Sequence, residues 1–293
     1  MKNYPEAVLP GTINFHINWQ CNADCVFCYR PSGNELSDID RRAIIRQIAH
    51  LPRANSTFTQ RRINFAGGEP TLVKTLPDIL NYTKSLDLST SLITNASVYL
   101  NKPKKLDEIV ENIDMIGVSV DSINETTNKK IKRPHHPAKS WLNFSETVNR
   151  HGTYLKVNST VCSFNADENL ESFYNQMALD RLKFLRAISV DGTIGTTKYN
   201  ANNWLASDKQ FDNFVSRHAH VKPSPIIENT DTLRGSYAMI SPDGCFYDST
   251  KGFYTRSEPI LKVGIVEAFR QVSFSQNKFE KRGGQFGIPV IAV

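Results

Sequence analysis

The stretch Thr12-Ile13-Asn14-Phe15-His16-Ile17-Asn18-Trp19-Gln20-Cys21-Asn22-Ala23-Asp24-Cys25-Val26-Phe27-Cys28 joins a strand pattern to a run of cysteines. Side chains alternate faces along a strand, so Asn14, His16 and Asn18 share one face while Ile13, Phe15 and Ile17 share the other. The cysteines follow at once, spaced C-x3-C-x2-C. Three thiolates on one short loop can hold three irons of a cubane [4Fe–4S] cluster and leave the fourth iron without a protein ligand. The amino and carboxylate groups of a methionine-derived cofactor can chelate that iron. A closed structural zinc site is the alternative, and it needs a fourth ligand. Cys162 or Cys245 could supply one only by fold-back, and His16 stands on the strand itself.

Outward from this segment, strand-like and helix-like patterns alternate. Strands are expected at 12–18, 62–66, 91–94, 115–120, 154–161 and 182–188. Helices are expected at 36–51, 76–86, 106–112, 139–151, 168–179 and 208–218, the first with Ser37 or Asp38 near its N-terminus. Six such units imply parallel strands joined by helical crossovers. The expected fold class is α/β, a partial (β/α)6 TIM-like barrel. Beyond His220 the pattern changes: 237–240 and 245–247, joined by Ser241-Pro242-Asp243-Gly244, read as a β-hairpin, and a last helix is expected at 266–275. The chain thus divides into a core of residues 1–220 and a C-terminal hairpin and helix extension of residues 221–293.

In parallel barrels both faces of a strand are usually apolar. Here one face is polar in strand after strand. Arg62 and Asn64 oppose Ile63 and Phe65; Lys156, Asn158 and Thr160 oppose Leu155, Val157 and Val161; Arg181 and Lys183 oppose Leu182 and Phe184. With helices covering the apolar faces, the lumen is lined by amides and cations. Unpaired buried charges are costly, so a wet cavity that receives an anionic ligand is the economical reading. The alternative for a single strand is an edge with one solvated face.

The 293 residues carry a formal net charge of +6, which suits an anionic ligand. No aromatic-plus-basic strand motif or zinc-finger spacing accompanies that charge, so no nucleic acid partner is expected, and Lys129-Lys130-Ile131-Lys132-Arg133 reads equally as solvated surface. No apolar run approaches the roughly 20 residues of a membrane span. The stretch 1–11 shows neither a signal-peptide core nor an amphipathic anchor. Five cysteines, three of them bunched, do not resemble a secreted disulfide framework. A cytoplasmic monomer that does not bind membranes is the expectation.

The segment Cys21-Asn22-Ala23-Asp24-Cys25-Val26-Phe27-Cys28 resembles the signature of the radical S-adenosylmethionine (SAM) superfamily. Gly67-Gly68-Glu69-Pro70, directly after the second strand, resembles its GGE motif: two glycines let the backbone approach a ligand, and Glu69 could accept hydrogen bonds from the SAM amino group. From about Thr12 to Gly284 the chain resembles the viperin-like nucleotide dehydratases of that superfamily, most clearly at 20–28, 63–70, 116–122, 155–165, 183–192, 236–240 and 281–284.

The resemblance implies a [4Fe–4S] cluster on Cys21, Cys25 and Cys28, and SAM as the second cofactor. Tyr29, Gly67, Gly68, Glu69, Asn95, Ser119 and Arg133 fall at SAM-binding positions. Arg62, Lys156, Arg181 and Lys183 match triphosphate-binding cations; Asn14, Asn158 and Arg282 match other nucleotide contacts. Tyr237 matches the tyrosine that supplies a hydrogen to the product-forming radical. The implied reaction converts a ribonucleoside triphosphate (CTP, UTP or GTP) to its 3′-deoxy-3′,4′-didehydro analogue, a chain-terminating antiviral nucleotide. The implied electron donor is a flavodoxin or ferredoxin, and the extension 221–293 would close the nucleotide site.

The chain departs from the animal enzymes in four places: the missing N-terminal amphipathic helix, the loop Tyr29-Arg30-Pro31-Ser32-Gly33, an arginine at 62 in place of lysine, and the tail 285–293. Competing readings are another radical SAM enzyme acting on a nucleotide or peptide, and a non-catalytic anion- or RNA-binding protein with a structural metal.

Overall fold

The computed structural model describes residues 9–52 and 60–284. Residues 1–8, part of the stretch read as lacking an anchor, and the tail 285–293 lie outside them. The strands are β1 (Thr12–His16), β2 (Arg62–Ala66), β3 (Ser89–Thr94), β4 (Met115–Ser119), β5 (Tyr154–Val161), β6 (Arg181–Arg186), β7 (Ile226–Glu228), β8 (Met239–Ile240), β9 (Cys245–Asp248) and β10 (Thr255–Pro259). They form one sheet in the order β10-β9-β8-β1-β2-β3-β4-β5-β6-β7. From β8 through β1 to β7 the pairs are parallel, and β8-β9-β10 are antiparallel. Among the described residues the sheet does not close, so the architecture is a partial barrel.

Alternation decides which way each strand faces. Ile13, Phe15, Ile63, Phe65, Leu155, Val157, Leu182 and Phe184 are all fully buried on the outer face beneath the helices. Full burial of such a side chain contributes about 1.5–3 kcal/mol, so a one-residue slip of register would be heavily penalised. The helix Asp38–Ala49 starts where Ser37 accepts from the Asp40 amide at 3.2 Å, and it buries Ile44, Ile45 and Ile48. The helix Ala138–Arg150 buries Trp141, Phe144 and Val148 in the same way. No helix among the described residues is long and apolar enough to cross a membrane.

Several elements differ from the sequence expectation. The helix expected at 266–275 stops at Arg270, as Ile265–Arg270, and a second one that was not expected, Gln276–Lys281, begins just past that range. Tertiary partners take the amides between them: Ser273 donates to Asp248 Oδ2 at 3.0 Å and Ser275 to the Gly235 carbonyl at 2.7 Å. The stretch 106–112 is likewise broken into the helix Lys104–Asp107 and the 3-10 turn Val110–Asn112. The basic run at 129–133 ends a helix, Glu125–Ile131, capped by Asn124. The division at residue 220 falls between strands of one continuous sheet, because β7 pairs with β6 and β8 with β1.

Candidate active site

The polar faces of the strands converge on one cavity. Its lining includes Asn14 and His16 of β1, Arg62 and Asn64 of β2, Lys156, Asn158 and Thr160 of β5, and Lys183 of β6. Cys21, Cys25, Cys28, Tyr29, Gly67, Gly68, Glu69, Asn95, Ser119, Arg133, Tyr237 and Arg282 line the same cavity. Arg181 is the exception. It shares the inward face of β6 but is absent from the lining, and it donates instead to the Gly283 carbonyl at 2.5 Å.

Strand polarity orders these groups along the lumen. Arg62 is the first residue of β2, and Lys156 and Lys183 are the third residues of β5 and β6. The cysteine loop follows β1, Gly67 and Gly68 follow β2, Asn95 follows β3, and Ser119 ends β4. Cations therefore lie toward the strand starts, and the thiols and glycines lie beyond the strand ends.

The cysteine loop is held from outside. Asp24 and Val26 donate to the Lys132 and Ile131 carbonyls at 3.3 and 3.1 Å, and Gly195 donates to the Cys28 carbonyl at 2.7 Å. A Cβ at Gly195 would lie 2.8 Å from the Val26 carbonyl oxygen, so only glycine allows that approach. Among the described residues no three His, Cys, Asp or Glu side chains stand close enough to hold a single metal ion. Around one zinc, thiolates would lie roughly 4 Å apart; in a cubane each binds a different iron and they stand farther apart. Three thiols that line one cavity without forming a single-ion site thus fit the cluster better than a lone ion. Burial pushes the Cys25 thiol up to about 12 and raises Cys21 as well, so iron binding here releases protons.

Gly67 and Gly68 are needed by the fold. A Cβ at Gly67 would sit 2.5 Å from the Asn18 carbonyl oxygen, and one at Gly68 would sit 2.0 Å from that of Gln20. The glycine loop is thereby pressed against the approach to the cysteines. The Glu69 carboxylate, expected to face SAM, accepts from Thr71 Oγ1 and Thr94 Oγ1 at 2.7 and 2.6 Å and from the Asn95 amide at 2.7 Å. It positions Asn95, whose side chain reaches Asn22 Oδ1 at 2.7 Å and Cys21 Sγ at 4.0 Å. Arg133 is partly buried and ion-paired with the fully buried Asp121, a pairing the sequence reading missed because the two lie twelve positions apart. Burial would lower the Arg133 guanidinium, but Asp121 and Cys25 outweigh it and keep the charge firmly in place.

The polyanion end differs from expectation in one respect: Lys183 is not an unpaired cation. Its ammonium is bonded to Glu228, a fully buried carboxylate that sequence reasoning missed. Register explains the meeting, since β7 places Glu228 beside Leu185, on the same face as Lys183. Tyr237 donates to the other Glu228 oxygen at 2.5 Å, and the Arg282 guanidinium lies 3.6 Å from the Tyr237 ring centroid. Arg282 is pinned by the Ser236 carbonyl at 2.9 and 3.1 Å. Burial would raise the Glu228 carboxyl, but Lys183 and Arg282 hold it below the ordinary range. Burial pushes Lys183 down to about 8 and Lys156 well below the ordinary lysine value. Among the described residues Lys156 has no ion-pair partner, and Asn158 Oδ1 is buried without a hydrogen-bond partner. Burial, then Arg181, lowers Arg62 to about 10; Arg62 also donates to Thr12 Oγ1 at 2.9 Å. Asn14 is held within the sheet, accepting from Asn64 Nδ2 at 3.0 Å.

His16 also lines the lumen and shares a 2.8 Å hydrogen bond with the Tyr247 hydroxyl. Burial lowers its imidazole to about 4. The unfolded chain, with a histidine near 6.5, binds more protons between those values, so stability falls as pH drops from 6.5 toward 4. The loss is on the order of 3 kcal/mol. His16→Gln, which keeps a partner for Tyr247 and cannot charge, is expected to lose that share of the acid sensitivity in urea melts.

Comparison with known proteins gives a concordant result. The chain matches the radical SAM superfamily over residues 20–177. It is 32% identical to an S-adenosylmethionine-dependent nucleotide dehydratase of Lacinutrix mariniflava, over 94% of this chain and 58% of that protein. It is 31% identical to the like-named protein of Flammeovirga pacifica, over 94% of this chain and 95% of that one. With the S-adenosylmethionine-dependent nucleotide dehydratase RSAD2 of Oncorhynchus mykiss it shares 28% identity, over 94% of this chain and 80% of that protein. Its fold resembles that of anSMEcpe with bound AdoMet, at a TM-score of 0.62 and 16% identity over 92% of this chain and 82% of that one.

Proposed function

The chain belongs to the radical SAM superfamily, in the branch of the SAM-dependent nucleotide dehydratases, and from that membership we propose that it removes water from a ribonucleoside triphosphate, CTP in the first place, to form the 3′-deoxy-3′,4′-didehydro nucleotide. The observation that carries the reading is the order along the lumen: cations at the strand starts, thiols beyond the strand ends. A nucleotide lying along it, triphosphate first, brings its ribose toward the thiols.

When bound to Cys21, Cys25 and Cys28, the reduced cluster with SAM supplies a 5′-deoxyadenosyl radical able to take the ribose 4′ hydrogen. The protein's part is positioning and the exclusion of water. Lys156, Lys183, Arg62 and Arg282 bind the triphosphate, with Arg181 supporting Arg282's neighbour Gly283 from behind. Asn158 offers its unpartnered amide oxygen to the nucleotide, and Asn14 offers the remaining capacity of an amide already held by Asn64. Asn95, Ser119 and Tyr29 meet SAM, and Arg133, held by Asp121, presents a fixed cation to its carboxylate. The Tyr237 phenol, raised well above its ordinary value by burial, keeps its hydrogen at neutral pH and can donate it. Loss of the 3′ hydroxyl as water takes up one proton and the double bond needs one electron. A hydrogen from Tyr237 would supply both, and the phenol would be restored by a proton and by an electron from a small carrier such as a flavodoxin or ferredoxin.

The test is an anaerobic assay of reduced, reconstituted protein with SAM and each of CTP, UTP, GTP, ATP and cytidine. Charge-assisted phosphate contacts contribute about 1.5–3 kcal/mol each, so a triphosphate should stimulate 5′-deoxyadenosine release and yield a nucleotide lighter by one water. Equal stimulation by cytidine and CTP would remove the polyanion argument.

A further inference from the structure

Glu228 touches none of the lumen, yet three lumen residues meet on it. Lys183 from β6 binds one oxygen, Tyr237 donates to the other, and the Arg282 guanidinium stands 3.7 Å away. Lys156, Arg181 and Tyr29 face it at longer range. The side chain is fully buried and both its oxygens are used. Lys156, one strand over, has no carboxylate at ion-pair distance among the described residues, and its ammonium is pushed down further than that of Lys183.

We propose that Glu228 is a positioning residue, a built-in stand-in for substrate polyphosphate, which keeps Lys183 charged and aimed in the free enzyme and yields it to the incoming phosphates. This rests on the reading of the lumen as a triphosphate site. A carboxylate in this place has two opposed effects on an arriving polyanion. It repels the phosphates, which weakens binding while Lys183 is protonated in either case. It also retains the Lys183 proton in the free protein, which favours binding at a pH where Lys183 would otherwise be neutral. The second effect grows as pH rises toward about 8, the value to which Lys183 is lowered with Glu228 in place, and levels off above it.

The experiment measures CTP binding by titration calorimetry on oxidised, cluster-loaded protein without SAM, from pH 6.5 to 9, for wild type and Glu228→Gln. Glutamine keeps an acceptor for Tyr237 without the charge. Because the ligand's own titration cancels in the ratio of dissociation constants, that ratio isolates the site. The variant is expected to bind more tightly than wild type at pH 6.5, and the ratio of its dissociation constant to that of wild type is expected to rise by about tenfold toward pH 9 for each pKa unit by which Glu228 holds Lys183 up. A ratio that keeps one value across the range overturns the proposal and reduces Glu228 to packing. Wild type that binds no CTP at any pH overturns the triphosphate reading itself, and the proposal with it. If the variant does not fold, wild type alone decides. Proton uptake on CTP binding to wild type, from buffers of different ionisation enthalpy, should grow by about two thirds of a proton between pH 7.5 and 9 as Lys183 joins. Uptake already near one proton at pH 7.5 would show that Lys183 is neutral beside Glu228 and that Glu228 does not hold its proton.

Discussion

Cys21→Ala, Cys25→Ala or Cys28→Ala should each abolish SAM cleavage, with iron falling from about four per chain toward background in anaerobically reconstituted protein. Each thiol is one of three anchors on a loop whose backbone is tied to Ile131, Lys132 and Gly195, so the loop cannot shift to recruit a substitute. Cys162 is fully buried and Cys245 nearly so, and neither lines the cavity. Cys162→Ala and Cys245→Ala should retain wild-type iron content. Loss of iron in the Cys162 variant would overturn the ligand assignment.

The second large effect separates two lysines that the sequence treats alike. Lys156→Ala and Lys183→Ala should each raise the CTP KM strongly, by about 10- to 100-fold for one lost charge-assisted contact, while slow uncoupled SAM cleavage persists. Their stabilities should differ. Lys156 has no ion-pair partner among the described residues and is opposed by Lys183 and Arg181, so its removal costs little and relieves repulsion. Lys183→Ala strips Glu228 of its closest cation. Breaking a buried pair costs about 3 kcal/mol at the lower end of its range, appropriate here because Arg282 and Tyr237 still serve the carboxylate. Thermal melts with and without CTP check both points: the lysine variants should lose most of the CTP-induced shift, and only Lys183→Ala should melt well below wild type. Equal melting temperatures for the two variants would contradict the Glu228 pairing.

What could be read from the sequence follows the range of the interactions involved. Period-two alternation is local, and it picked out Asn14, His16, Arg62, Asn64, Lys156, Asn158 and Lys183, all of which line one cavity. It also picked out Asn18, which lies past the end of β1, outside the lining, and donates to the Gln20 and Glu69 carbonyls. Alternation gives the face of a strand but not the depth along it. Arg181, two residues before Lys183, therefore carried the same expectation although it sits behind Gly283. Glu228 was hidden because β7 has three residues, too few for a period, and its meeting with Lys183 depends on pairing across 45 positions. The glycines at 67 and 68 were legible as a motif. Their steric reason, contact with Asn18 and Gln20, exists only once β1 and β2 lie side by side. The helix at 266–275 failed for the same cause, since Asp248 and Gly235 outbid the local helical bonds.

The central claim is that a nucleotide lies in this lumen with its ribose at the radical-forming end. The most direct measurement uses CTP carrying deuterium at the ribose 4′ position, with reduced protein and SAM, and weighs the released 5′-deoxyadenosine by mass spectrometry. One deuterium in the 5′-deoxyadenosine, formed together with a nucleotide lighter by one water, is the predicted result. Unlabelled 5′-deoxyadenosine at the same yield with and without CTP would contradict it.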